Sequence, residues 1–206
     1  MVVKTIIGDM LPSIWPMVLF ISIIAVTLRC AYLFKGSRKF VLHKELLSLV
    51  FIVYILCLYY ILMNKDSLGS GLNLIPFKEI FRYKFGSYKF MKNVVGNILL
   101  FVPFGYFASY YLTNRKVSVI TMVTLIVSAS AEGIQYYLGR IFDIDDIILN
   151  VCGGFVGYLI FVALNAIGNK LPRFTKSDAF INFIVIVILI LLVIMSYDID
   201  VISYFK

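Results

Sequence analysis

Six apolar runs dominate the chain, and each is close to the length that a helix needs to cross a bilayer. A spanning helix takes roughly 20 mostly apolar residues. The runs lack the alternation of strands in a membrane barrel, and a helix satisfies its own backbone polar groups in lipid. The pattern therefore predicts an all-α fold, a polytopic integral membrane helical bundle of about six transmembrane helices. The runs are residues 11–28, 46–63, 94–111, 117–138, 147–167 and 179–197.

The segment between the second and third runs, residues 64–93, is predicted to contain a short interfacial helix. Asn73 and Pro76 indicate a turn that leads into an amphipathic stretch at 77–85. Its aromatic residues recur every fourth position and therefore share one helix face. Such a face is typical of a helix that lies in the membrane interface. These aromatic residues are Phe77, Phe81 and Phe85.

Three of the predicted helices carry a polar stripe, and all three stripes lie at the same membrane face. The third helix enters the membrane near Asn93, the fourth leaves it near Gly139, and the fifth re-enters at Asp146. At about 1.5 Å per residue, the stripes lie within roughly two helical turns of that surface. We therefore expect their side chains to meet. The polar positions are Asn93 and Asn97, then Ser128, Glu132 and Gln135, then Asp146 and Asn150.

Glu132 is the most informative polar residue, because residues 117–131 before it carry no charge. An ionisable residue within a membrane helix normally has a partner and marks a functional site. Polar side chains also join membrane helices by hydrogen bonds alone. Both interpretations stay open for Glu132 and for Gln135. For the asparagines at 93, 97 and 150 the structural interpretation is favoured.

The acidic run from Asp143 to Asp146 has two interpretations. Carboxylate oxygens are ligands that suit a divalent cation. A short acidic turn at a membrane surface is more often only solvated, so we predict no metal site. Asp146 stands at the start of the fifth helix, where it fits an N-cap.

Glycine and proline in the spans are predicted to shape the helices. Pro103 lacks a backbone donor in the middle of the third helix and predicts a kink near Leu99. Small residues let membrane helices approach closely. The fifth helix has such residues at Gly153, Gly154 and Gly157.

Composition and charge agree with a membrane protein and exclude several functions. The 206 residues are 62% hydrophobic, whereas soluble domains are about half apolar. The single histidine, His43, lies between the first two runs, which excludes a histidine triad or a histidine zinc site at the polar face. The cysteines, at 30, 57 and 152, form no CxxC motif and predict neither a disulfide nor a zinc site. We predict no cofactor.

The net charge of +8 lies in the loops, where anionic lipid headgroups attract it. No basic helix with interleaved aromatic residues offers a surface for nucleic acid, so membrane lipids are the predicted partners. The loops on the two sides have similar numbers of lysines and arginines. Those at 35–44, 115–116 and 170–176 lie close to helix ends and face few acidic residues. We therefore predict that these loops are cytoplasmic and that both termini are outside.

Three blocks of sequence resemble the VanZ family of membrane proteins. They are LNLIPF at 72–77, NVVGNILLFVPFGY at 93–106 and AEGIQYYLGRIFDIDDIILNVCGGFVGY at 131–158. The resemblance begins near residue 46. It implies a VanZ-like membrane domain at 46–206 and an additional N-terminal helix with a basic loop at 1–45. Mapped onto this chain, the family's pattern positions are Asn73, Pro76, Phe77, Asn93, Asn97, Pro103, Gly105, Glu132, Gln135, Asp143, Asp146, Asn150, Gly153, Gly154 and Gly157.

The resemblance implies a multi-pass protein of the bacterial cytoplasmic membrane that contributes to low-level resistance to teicoplanin and related lipoglycopeptides. We expect an outward-facing polar pocket that binds an amphiphile, either the lipoglycopeptide or an envelope lipid. Two alternatives stay open. One is a membrane enzyme that uses its carboxylates on a lipid-linked or cell-wall precursor, and the other is a non-catalytic scaffold. The residues expected to line the pocket are Glu132, Gln135, Asp143, Asp146, Asn150, Asn97, Asn93 and Asn73.

Overall fold

A computed structural model describes residues 16–30, 41–63, 71–113, 115–170, 172 and 177–187. The first elements are α1 (Pro16–Cys30), α2 (Leu42–Met63), β1 (Gly71–Asn73) and α3 (Lys78–Arg82). A continuous helical stretch follows, made of α4 (Tyr88–Phe90), a π-helical turn (Met91–Val95) and α5 (Gly96–Tyr111). The last elements are α6 (Val117–Tyr137), β2 (Ile141–Asp143), α7 (Ile144–Lys170) and α8 (Asp178–Val187).

Four helices of the described residues are long and apolar enough to cross a membrane, namely α2, the stretch Tyr88–Tyr111, α6 and α7. They correspond to the four inner predicted runs. The two outer runs are represented by α1 and α8, which are shorter apolar helices. Positions 11–15 and 188–197 of those runs lie outside the described residues. The all-α class is confirmed, and the expected six spans become four candidate spans with two shorter apolar helices.

Contacts divide the chain into two compact units. One consists of Met1–Val53 and Ile167–Lys206, and the other of Tyr54–Ala166. In the first unit, the guanidinium of Arg29 donates to both oxygens of Glu45, at 2.6 and 2.8 Å. All the predicted pocket residues lie in the second unit. The predicted boundary at residue 45 stays a prediction.

The apolar core of the second unit joins α2, α5 and α6. The Tyr54 hydroxyl on α2 donates to the Leu100 carbonyl on α5 at 2.6 Å. Pro103 lies inside α5, which is helical from Gly96 to Tyr111, and the kink predicted near Leu99 stays a prediction. The buried core residues are Leu58, Leu62, Phe101, Phe104, Ala108, Ile120 and Ala131.

The backbones of α5 and α7 approach each other directly at glycines. A Cβ on Gly105 would lie 2.0 Å from the Gly154 carbonyl oxygen, and one on Gly157 would lie 2.0 Å from the Val102 carbonyl oxygen. Real side chains do not fit at such distances, so glycine is what permits this helix crossing. The crossing holds the polar N-terminal part of α7 beside α5. Further close approaches join Gly153 to Ile98 and Gly154 to Thr124.

A two-stranded parallel pairing, which the apolar pattern does not predict, connects the 64–93 segment to the acidic run. β1 pairs with β2 so that Asn73 lies opposite Asp143. The helix predicted at 77–85 is shorter than expected, since α3 ends where Tyr83 adopts an extended backbone. The aromatic side chains at 81 and 85 are 83% and 86% exposed.

Candidate functional site

A cavity of about 730 Å³ opens at the end of the second unit where the predicted polar stripes meet. The segment from β1 to the π-helical turn forms one side of it, and β2 with the start of α7 forms another. Charged side chains are unusually numerous in its wall. The basic ones are Lys78, Arg82, Lys89, Lys92 and Arg140, and the acidic ones are Glu79, Asp143, Asp145 and Asp146.

Asp145 links the start of α3 to the start of α7 by hydrogen bonds. Its side chain is almost fully buried, at 1% exposure, and it accepts hydrogen bonds from the backbone amides of Phe77, Glu79 and Ile80. The first amides of a helix have no partner within the helix. Carboxylate acceptors at this position make strong charge-assisted bonds and complement the helix dipole. Asp145 thus caps α3 from a distant element.

The turn that Asp145 holds contains a left-handed residue. Phe77 has a φ of 66° and precedes α3. A bulky side chain in this region costs about 1–3 kcal/mol. The three amide bonds to Asp145 hold the turn in place against this cost.

Asp143 caps α7 and is bonded to the opposite strand. Its Oδ1 accepts from the Asn73 side-chain amide at 2.9 Å and from the Asp145 backbone amide at 2.9 Å. Burial raises the pKa of the Asp143 carboxyl, and the neighbouring Asp146 and Asp145 carboxylates raise it further, against the opposing effect of its two amide donors. Asp143, which precedes Ile144, therefore takes the capping position that the sequence assigned to Asp146.

Asp146 faces the cavity from the first turn of α7 and accepts a hydrogen bond from the Asn97 side-chain amide on α5. Among the described residues, no group of three or more histidine, cysteine, aspartate or glutamate side chains is arranged to hold a metal ion. The three aspartates of the cavity instead accept hydrogen bonds from amide groups of the protein, and Glu79 pairs with Arg82.

Glu132 holds β2 to the end of α6. It is 1% exposed, and its Oε2 accepts from the Asp143 backbone amide at 3.0 Å. Glu132 is not among the described residues that line the cavity. Its carboxylate therefore positions the strand that carries Asp143.

Gln135 and Arg140 close the C-terminal end of α2. The Gln135 amide donates to the Leu62 carbonyl at 3.1 Å. Arg140 donates to the carbonyls of Leu62 and Met63 at 3.1 and 3.0 Å. The last carbonyls of a helix have no intrahelical partner, and a cation there also interacts favourably with the helix dipole. Both residues therefore tie α2 to the end of α6.

Two asparagines differ in how they contribute. Asn150 lies 1% exposed between α7 and α6, where its amide donates to the Ser128 hydroxyl at 2.9 Å. Its Oδ1 has no hydrogen-bond partner in the described part of the chain. Asn93 hydrogen-bonds the Tyr83 hydroxyl at the cavity wall. Burial raises the pKa of Tyr83, and the Glu79 carboxylate raises it further, so this hydroxyl stays neutral.

Five of the eight predicted pocket residues line the cavity, and three lie deeper in the helices. The lining residues are Asn73, Asn93, Gln135, Asp143 and Asp146. The deeper residues are Glu132, Asn97 and Asn150. That the lining residues bind a ligand stays a prediction. The sequence pattern does not identify Asp145 as a pocket residue, and it indicates only loop charges for the lysines and arginines of the cavity. The signal that could identify them is the spacing of Lys78, Arg82, Lys89 and Lys92 beside the aromatic residues.

Comparison with known proteins agrees with the family resemblance. The sequence profile of the VanZ/LLP1 family matches residues 51–165, a range that contains every residue of the cavity wall. Protein VanZ of Enterococcus faecium is 28% identical to this chain over 161 residues, which cover 78% of this chain and 92% of that protein. No solved structure matches the chain. On this match of more than half its length, the chain belongs to the VanZ/LLP1 family of membrane proteins.

Proposed function

We propose that this protein binds the polar part of an amphiphile in the cavity, and that this binding lowers the susceptibility of the cell to teicoplanin and related lipoglycopeptides. The amphiphile is an envelope lipid or the lipoglycopeptide itself. The observation that carries the proposal is a cavity of about 730 Å³ with nine charged residues in its wall. Binding sites for small molecules typically measure about 300–1,000 Å³.

The position of the cavity supports an amphiphilic ligand. It lies at the ends of α6 and α7, two helices apolar enough to span a membrane. A ligand there meets polar groups at the helix ends and apolar helix surface immediately below them. Exposed aromatic side chains, at 81, 85 and 137, surround this end of the unit. Aromatic residues of this kind are typical of the membrane–water interface.

We propose further that the cavity faces the outside of the cell. The connection between α5 and α6, at the opposite ends of these helices, contains Arg115 and Lys116, and further basic residues follow α7 in the sequence. Short basic loops are typical of the cytoplasmic side. An outward cavity suits a ligand that is encountered in the cell envelope.

The proposal is tested by teicoplanin susceptibility of cells that carry an empty vector, the wild type, Asp146→Asn or Asp178→Asn. The Asp146→Asn substitution keeps a side-chain oxygen that can accept from Asn97 but removes one negative charge from the cavity wall. Asp178 is a matched control because it lies on α8, outside the cavity lining, and its side chain is 53% exposed. With equal membrane abundance of all three proteins, we expect wild type and Asp178→Asn to raise tolerance equally and Asp146→Asn, which changes the charge of the cavity wall, to give a different tolerance. Equal tolerance of wild type and Asp146→Asn contradicts the proposal.

A second candidate is an enzyme that acts on a lipid-linked precursor, and the carboxyl pair of Asp143 and Asp146 favours it. Both groups line the cavity, and the pKa of Asp143 is raised by burial and by its acidic neighbours. A carboxyl group with a raised pKa suits a general acid, and a second carboxyl group in the same cavity suits a general base. Mass spectrometry of envelope lipids from expressing and control cells distinguishes the candidates, since only an enzyme changes the lipid masses.

A further inference from the structure

The carboxylates of the cavity are already bonded to the protein. Asp145 accepts hydrogen bonds from three backbone amides. Asp143 accepts one hydrogen bond from a backbone amide and one from a side-chain amide. Asp146 accepts from Asn97. Buried carboxylates with such donors need no cation from a ligand.

The basic side chains of the cavity form fewer ion pairs and hydrogen bonds within the protein than its carboxylates do. Arg82 pairs with Glu79 at 3.0 Å, and Arg140 donates to two carbonyls at the end of α2. Lys78 and Lys89 also belong to the cavity wall, and within the described ranges neither ammonium group forms an ion pair. The ammonium groups that are available to a ligand in the cavity therefore lie on α3 and α4.

One buried acceptor in the cavity wall, on β1, has no hydrogen-bond donor among the described residues. The Asn73 side chain is only 8% exposed, and its amide group is used on Asp143. Its Oδ1 has no partner among the described residues, and Asn73 lines the cavity. A buried carbonyl oxygen normally has a donor. A ligand hydroxyl beside β1 would supply this donor, whereas an anion without a hydroxyl would not.

The surroundings of the two lysines place them at the depth of lipid phosphates. Phe81 and Phe85, which follow Lys78 and precede Lys89, are 83% and 86% exposed. Exposed aromatic residues of an amphipathic segment enter the boundary between headgroups and acyl chains, while its basic residues stay at the headgroups. Lysines there are attracted to anionic lipids.

We infer that the cavity takes the headgroup of a phosphate-bearing membrane lipid that also carries hydroxyl groups. Lys78 and Lys89 contact the phosphate, and Asn73 accepts from a hydroxyl. This inference rests on the proposed function, because it names the chemical class of the amphiphile. The acyl chains stay outside the cavity, along the apolar surface of the spanning helices.

The test measures binding of four probes to the full chain in a neutral detergent by isothermal titration calorimetry. Dioctanoyl phosphatidylglycerol has phosphate, hydroxyls and acyl chains. Dioctanoyl phosphatidylcholine lacks the hydroxyls, dioctanoylglycerol lacks the phosphate, and glycerol 1-phosphate lacks the acyl chains. We expect phosphatidylglycerol to bind at least about tenfold more tightly than phosphatidylcholine and dioctanoylglycerol, since each of these lacks one good polar contact. Glycerol 1-phosphate should also bind at least about tenfold more weakly, because it lacks the apolar chains.

Failure of the inference can be distinguished from failure of the proposed function. Equal binding of phosphatidylglycerol and dioctanoylglycerol overturns the phosphate contact but leaves amphiphile binding intact, and equal binding of phosphatidylcholine overturns the hydroxyl contact. Glycerol 1-phosphate as tight as the lipid identifies a soluble phosphate compound and overturns the lipid assignment. If no acylated probe binds, both the inference and lipid binding by the cavity fail.

A charge-matched pair of double variants locates the site. Lys78→Gln with Lys89→Gln removes the two cavity ammonium groups, whereas Lys84→Gln with Lys116→Gln removes two exposed ammonium groups outside the cavity lining. We expect the first variant to weaken phosphatidylglycerol binding by about tenfold or more and the second to leave it unchanged. Equal weakening in both variants would show general membrane electrostatics instead of a site. Thermal unfolding of both variants checks that each is folded.

Discussion

Replacing Gly157 by alanine tests whether glycines allow α5 and α7 to pack at backbone contact. The added Cβ would lie 2.0 Å from the Val102 carbonyl oxygen and 2.7 Å from the Tyr106 backbone nitrogen. Ordinary van der Waals contact begins near 3.4 Å, so the helices would have to separate by the difference from 2.0 Å, about 1.4 Å. Because both obstacles are backbone atoms, no side-chain rotation relieves the clash.

The expected loss of stability follows from two opposing effects. Overpacking a close-packed site costs about 1–3 kcal/mol, and a backbone obstacle favours the upper end of that range. Alanine is a better helix former than glycine by about 1 kcal/mol. We therefore expect Gly157→Ala to lower the free energy of unfolding by about 2 kcal/mol.

Gly133 provides the matched control within α6. A Cβ at this position meets nothing within 4 Å, so Gly133→Ala keeps only the gain in helix propensity. We expect it to raise the free energy of unfolding by about 0.5–1 kcal/mol. Unfolding of both variants and wild type is followed by circular dichroism as SDS is titrated into mixed micelles. The packing argument is refuted if Gly157→Ala is as stable as wild type or changes in the same direction as Gly133→Ala.

Three further predictions concern the groups around the cavity. Asp145→Ala removes the acceptor of three backbone amides. We therefore expect hydrogen exchange of the amides at 77, 79 and 80 to become at least about tenfold faster, and Asp145→Asn to have an intermediate effect. Unchanged exchange would contradict the capping role. Because the pKa of Asp143 is raised in the folded protein, its contribution to stability is present at low pH and is lost as the pH rises from the ordinary aspartate value through the raised one. Asp143→Asn should remove this slope from unfolding curves measured across that pH window, and an unchanged slope would assign it to another group. Gln135→Leu leaves the Leu62 carbonyl with one donor fewer and should cost about 1–2 kcal/mol of unfolding free energy, whereas loss of the exposed hydroxyl in Ser130→Ala should cost under about 0.5 kcal/mol.

The inner spans follow from the sequence because apolar run length is a local property. The run at 117–138 corresponds to α6, Val117–Tyr137, and the run at 147–167 lies within α7, Ile144–Lys170. Within the described residues the outer runs correspond to α1 and α8, and the remaining positions of both runs lie outside that part of the chain. Helical periodicity places the polar residues of each helix in one stripe. The direction of the chain through successive helices then places the three stripes at the same membrane face.

The roles of the individual polar residues were less predictable. The pattern singles out Glu132 as unusual, but it does not show that the partner is the backbone amide of Asp143. The pattern does not distinguish Asp145 from the neighbouring acidic residues, although Asp145 is the one that accepts hydrogen bonds from the first amides of α3. Side-chain identity is visible in a sequence, whereas an unpaired backbone amide or carbonyl is not.

The sequence by itself determined that this protein is a helical membrane protein and that its polar residues lie at one end of the helices. Hydropathy and helical spacing are local properties, so they can be evaluated from the residue types alone. Only the tertiary structure decided which polar groups face the cavity and which hold the backbone. The bond from Gln135 to Leu62 spans 73 positions, and the bonds from Asp145 to α3 span 65 to 68. The physical reason is that helix ends leave backbone groups unsatisfied, and their partners come from whichever segment the fold brings beside them.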